Sequence, residues 1–144
     1  MDFTVIVSGR CHFGDDPDFL PGTFVGPDAQ FPFDCPGVDP TQPAVLMFQS
    51  LDVDNERNVL EINGSGLPGG IPQSPADAWR SGGIPVSSSR DCWTSNLMVV
   101  AAGTLGPAGN SLHVGSRDED GTLVGNIDDF LIDNVVILYK TRPR

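Results

Sequence analysis

A chain of 144 residues with a formal net charge of -11 at pH 7 and Lys140 as its one lysine is set against nucleic acid as a partner, because phosphate binding needs clustered Lys and Arg. No apolar run reaches the 18 or more residues of a membrane span, and "MDFTVIVSGR" places an acid at position 2 with no basic segment before its short apolar run, so neither a membrane span nor a signal peptide is expected. The expected compartment is the cytoplasm, or release without a recognisable signal peptide. Gly (17) and Pro (13) are abundant and the apolar runs are short and rich in Val, Ile and Phe; this composition predicts a single all-β domain over residues 1–144.

Taken in chain order, "FTVIV" (3–7) is predicted as an opening strand. Residues 15–43 hold seven of the thirteen prolines and the aromatics Phe19, Phe24, Phe31 and Phe33. Proline cannot donate to a sheet ladder, so this segment is predicted as a long ordered excursion with one edge strand near "GTFVG". Its aromatics are expected to pack down onto the domain.

"AVLMFQSLDV" (44–53) is nearly continuously apolar and predicts a central strand. It is expected to form a hairpin with "NVLEING" (58–64) across the acidic turn "DVDNE". A second Gly/Pro/Ser-rich loop covers 64–92, with a helical turn predicted at 76–80. "WTSNLMVVAAGTL" (93–105) and "NSLHVGSRD" (110–118) are predicted as strands around "GPAGN", and "GNIDDFLIDNVVILYKT" (125–141) contains the last strand. Strict alternation there puts Phe130, Ile132, Asn134, Val136 and Leu138 on one face, and Leu131, Asp133, Val135, Ile137 and Tyr139 on the other. Both faces are mostly apolar, so both are expected to be covered. Asp133 must then be paired, hydrogen-bonded or bound to a cation.

Strands, long Gly/Pro-rich loops and no clear helix predict a β-sandwich of jelly-roll type. The runs "VVAAGTLGPAGNSLHVGSRDEDG" and "IDDFLIDNVVILYK" resemble the closing half of galactose-binding-like jelly rolls, the fold of many carbohydrate-binding modules and lectin-like domains. The resemblance spans residues 45–140 and rests on Leu105, Gly109, Asn110, Leu112, Val114 and Asp133. It implies a non-catalytic carbohydrate-binding function and an acidic residue of the last strand near a structural calcium. Segment 15–43 has no counterpart in that pattern.

Calcium collects six to eight oxygens, usually from loops. The candidate ligands are Asp118, Asp120, Asp128, Asp129 and Asp133; the alternative is that these acids are solvated turn formers with Arg117 as a partner. The loop is no EF-hand, since Leu123 stands where the sharp turn needs Gly. Trp79, Arg80, Trp93, Asn96, His113 and Arg117 are the candidate residues for a carbohydrate or other polar ligand, because indole faces suit sugar C–H faces and polar side chains read hydroxyls. Each Trp has an alternative role as a core anchor. Cys11, Cys35 and Cys92 are expected as unpaired thiols, with a Cys11–Cys35 bridge as the alternative. No catalytic motif is present, so an enzyme is a lesser alternative beside a structural protein that assembles through its loops and sheet edges. Weak sites gain from multivalency, so a homo-oligomer is expected.

Overall fold

A computed structural model describes residues 1–74 and 93–143. The helical turn expected at 76–80, and with it Trp79, Arg80 and Cys92, lies outside the described residues. Within them the chain is all-β. Ten strands run in the order β1 (Asp2–Val7), β2 (Cys11–Phe13), β3 (Thr23–Gly26), β4 (Asp28–Phe33), β5 (Ala44–Leu51), β6 (Val59–Ile62), β7 (Ser65–Gly66), β8 (Thr94–Val100), β9 (Asn110–Gly115) and β10 (Phe130–Tyr139).

They form two sheets. The six-stranded sheet has the order β3-β2-β10-β5-β8, with β1 also paired to β10; the four-stranded sheet has the order β4-β9-β6-β7. Phe13, Leu46, Phe48, Phe130 and Ile137 from the first sheet and Phe33, Leu60, Ile62, Leu112 and Val114 from the second belong to one buried apolar cluster. Cys11 and Cys35 are buried in it as unpaired thiols. Desolvation by that burial raises the thiol pKa of both.

Three expectations are corrected. First, β5 and β6 are not a hairpin. β5 pairs with β10 and β8, whereas β6 pairs with β7 and β9 in the other sheet. The acidic turn carries the chain between sheets: Asp52 turns it with φ 61°, and Val53, 1% exposed, anchors the crossing in the core. Second, the proline-rich excursion contains a further strand, β4, beside the expected one at β3, and a short strand, β2, precedes it. Pro32 sits in β4, which pairs only with β9 at the sheet edge, the position where a missing N–H is harmless.

Third, β10 does not alternate throughout. Asn134 takes φ 52°, and the pairing with β5 shifts between Asp133 and Val136. This bulge inverts the phase. Phe130 and Ile132 face the core before it, and Val135, Ile137 and Tyr139 after it. Asp133 therefore stands at the kink, half-buried, where its Oδ1 accepts the Asn134 N–H at 2.8 Å and its Oδ2 lies 3.7 Å from Arg10. The outer face of β10 is covered over its first half alone, where Leu131 packs with Leu20 and Leu51 in a second cluster.

Candidate functional site

At one end of the two sheets, three connections meet around a hollow of about 400 Å3: the loop after β2, the crossing from β5 to β6, and the long loop from β9 to β10. Asp15, Asp16, Phe19, Asp54, Asn55, Glu119, Asn126, Ile127, Asp128 and Asp129 line it. Among the described residues six carboxylates face this space and no Lys or Arg lines it.

Asp128 is the buried member, 6% exposed. Its Oδ2 accepts from the Asn58 side chain at 2.7 Å and from the Asp54 N–H at 2.9 Å, while its Oδ1 has no hydrogen-bond partner among the described residues. Its backbone is fixed as well, because its carbonyl accepts from the Ser116 hydroxyl and its N–H donates to Arg117 O at 3.1 Å. Burial pushes the Asp128 carboxyl up to about 6, against the pull of the Asp54 and Asn58 donors.

Asp129 is held from the opposite side. Its Oδ1 lies 2.7 Å from Nε2 of His12 and 3.4 Å from the Asp16 N–H. Burial raises the Asp129 carboxyl, and the His12 hydrogen bond opposes that rise. His12 is fully buried on the outer face of β2, with its ring edge-on to Phe24 at 5.1 Å. A Cβ on Gly14 would lie 1.9 Å from Asp129 Oδ1, so only glycine lets the carboxylate come this close.

Of the acids expected to hold calcium, Asp128 and Asp129 share the hollow and Asp118, Asp120 and Asp133 do not line it. Asp118 organises its own loop: its oxygens accept from the Thr122 hydroxyl at 2.6 Å and from the N–H groups of Thr122, Asp120 and Gly125. The Thr122 hydroxyl leads the donors that hold its carboxyl below the usual range. Asp120 is exposed beside it, and Asp133 is on β10. Among the described residues no three His, Cys, Asp or Glu side chains stand close enough together to hold a metal ion.

The residues expected to bind sugar are dispersed. Asn96 points inward and donates to Ser50 Oγ at 2.9 Å. Trp93 is 40% exposed, with the Arg10 guanidinium 4.9 Å from its ring centre. His113 and Arg117 lie on the outer face of the four-stranded sheet. There Asp28 receives Arg117 through two bonds of 2.9 and 3.1 Å and lies 2.7 Å from His113, whose other nitrogen is 3.5 Å from Glu61. Arg117 is thus partnered by Asp28, not by the acids of its own loop. Desolvation works to raise Asp28, but the bonds from Arg117 and His113 outweigh it and the carboxyl is lowered.

Sequence reasoning missed Asp15, Asp16, Phe19, Asp54, Asn55 and Asn126 as wall residues, and Asn58 and Gly14 as their supports. The signal lay in three acidic turns, "GDDPD", "DVDNE" and "NIDD", each following or preceding an apolar run. Their convergence depends on the crossing between sheets.

A second surface stands out. On the outer face of the six-stranded sheet, Phe3, Leu138, Val45 and Val99 are in register across β1, β10, β5 and β8, and Val5, Val136, Met47 and Leu97 form the adjacent row. Leu97 is 70%, Val99 63% and Phe3 62% exposed. No charged side chain interrupts the two rows.

Comparison with protein-family models, with curated proteins and with solved structures found no match to this chain.

Proposed function

We propose that the chain is a non-catalytic β-sandwich binding module of jelly-roll type that takes a neutral, hydroxyl-rich ligand of the carbohydrate class in the acidic hollow. One observation carries the reading: Asp128, buried at the hollow, keeps an oxygen that has no hydrogen-bond partner among the described residues. A buried acceptor without a donor is costly, and a ligand hydroxyl would relieve it. Carboxylates and amides from Asp15, Asp54, Asn55, Glu119 and Asn126 surround that oxygen with acceptors and donors for further hydroxyls. Phe19, 37% exposed, offers an apolar wall for sugar C–H groups. Six acids repel phosphate, sulfate and carboxylate ligands, which leaves neutral polyols as the favoured class.

Calcium in the same hollow is the second reading. The unpartnered Asp128 oxygen favours it too, since hard cations take carboxylate oxygens. The separation of the side chains weighs against it.

The test is a neutral-glycan array followed by calorimetry on the strongest binder, with and without calcium. Binding that Asp128→Asn and Phe19→Ala each weaken at least tenfold supports the sugar reading. A heat of binding from calcium chloride alone, absent in Asp128→Asn, supports the ion. Silence from both probes overturns the assignment of the hollow.

A further inference from the structure

The two apolar rows on the six-stranded sheet are independent of the hollow and call for an occupant. The exposed parts of Met1, Phe3, Val5, Met47, Leu97 and Val99 sum to roughly 650 Å2, at or above the ~300–600 Å2 of the largest patch on a typical monomer. The same area approaches the ~800 Å2 that each partner contributes to a standard specific interface.

Charge decides which partner fits. A molecule with a net charge of -11 repels its own copies over most of its surface. The eight residues of the rows are all apolar, so two copies stacked on this face would set no carboxylate of one row against a carboxylate of the other. Its shape suits the contact. Val45, Met47, Val136 and Leu138 lie on the paired strands β5 and β10, and two shallow apolar hollows of about 380 and 420 Å3 flank Met47 and Leu97, into which side chains of a facing sheet can seat. Sheets of this kind pack face to face at a spacing of ~10 Å. At the rim, Asn134 donates to Gln49 at 2.8 Å, which closes the apolar area with a self-satisfied polar pair.

We infer that the chain forms a two-fold homodimer by stacking the outer faces of two six-stranded sheets, Phe3, Val5, Val45, Met47, Leu97, Val99, Val136 and Leu138 of one copy against those of the other. The contact is isologous, so it closes at two and buries both patches completely. A dimer of binding modules also carries two hollows, and a ligand with repeated units would be held by both.

The test is sedimentation equilibrium over a wide concentration range, with far-ultraviolet circular dichroism to confirm that each variant keeps its sheets. The wild type is expected at twice 15.3 kDa. Met47→Glu on the interior strand β5 and Leu97→Glu on β8 each place two unpaired charges in the interface and are expected to weaken association ~100-fold or more, with unchanged circular dichroism. A wild type that stays monomeric at every concentration overturns the proposal, and an apolar dye that then binds it but not Leu97→Glu reassigns the face to a different partner. A dimer lost in Leu97→Glu but kept in Met47→Glu also overturns it, in favour of pairing along the edge of β8.

Discussion

His12 Nε2 lies 2.7 Å from Asp129 Oδ1, joining β2 to the start of β10 beneath the loop that walls the acidic hollow. With the carboxylate accepting, Nε2 donates, and Nδ1 has no partner among the described residues. Asp129→Ala leaves both nitrogens of a fully buried ring unsatisfied. It is expected to destabilise the fold by about 2–3 kcal/mol, read from urea unfolding, while Asp129→Asn retains an acceptor and loses less. Equal losses in the two variants would show that the bond contributes little.

Gly14→Ala tests the same contact from the other side. Its φ of 144° and a Cβ only 1.9 Å from the Asp129 carboxylate force the loop and the carboxylate apart. The expected cost is about 2–4 kcal/mol. Gly26→Ala, where a Cβ meets nothing within 4 Å, is expected to cost less, since its φ of 83° is the only penalty. The difference between the two melting temperatures isolates the steric part.

Asp128 gives stability an acid-favoured component. Its folded value of about 6 lies above the ordinary 3.8, so between the two values the folded state holds a proton that the unfolded state has released. The contribution is complete below ~3.9 and is lost as pH rises through about 6. Its size is on the order of 2–3 kcal/mol. Asp28 and Asp118, whose values are lowered, act in the opposite direction and withdraw their support as pH falls through their folded values. The wild type is therefore expected to be most stable in mildly acid solution. Asp128→Asn is expected to flatten the fall in unfolding free energy from about pH 4 to about pH 7; an unchanged profile would place the titrating group elsewhere.

Arg117 separates structure from ligand binding. Its two bonds to Asp28 are on the outer face of the four-stranded sheet, away from the hollow lining. Arg117→Ala is expected to cost about 1 kcal/mol in a thermal melt and to leave saccharide affinity as in the wild type. A tenfold loss of affinity would move the ligand to this face.

The fold class was legible because β5, β8 and β9 announce themselves through apolar runs and turn residues. What alternation could not reveal was the left-handed Asn134. A bulge breaks the two-residue period, so Val135, Ile137 and Tyr139 kept their mutual spacing but changed sides relative to Phe130 and Ile132. β4 was masked by Pro32, which reads as a strand breaker unless the edge position is known. The hollow was legible in part. Asp128 and Asp129 stood out as an acidic pair beside an apolar strand, but Asp15, Asp16 and Asp54 reach them only through sheet order, which no local pattern encodes. Asn96 and His113 were drawn to the ligand reading by residue type, yet Asn96 spends its amide on Ser50 and His113 its ring on Asp28 and Glu61.

The position of β10 bears on how the chain reaches this state. It pairs with β1 and β2 on one side and β5 on the other, and in chain order it is made after all three. Before residues 130–139 are made, β2 can pair with β3 and β5 with β8, but β1 has no partner and nothing joins the two pairs into one sheet. Non-local pairing of this kind gives slow folding, and the six-stranded sheet is complete only when its central strand, β10, enters between partners drawn from the first third of the chain.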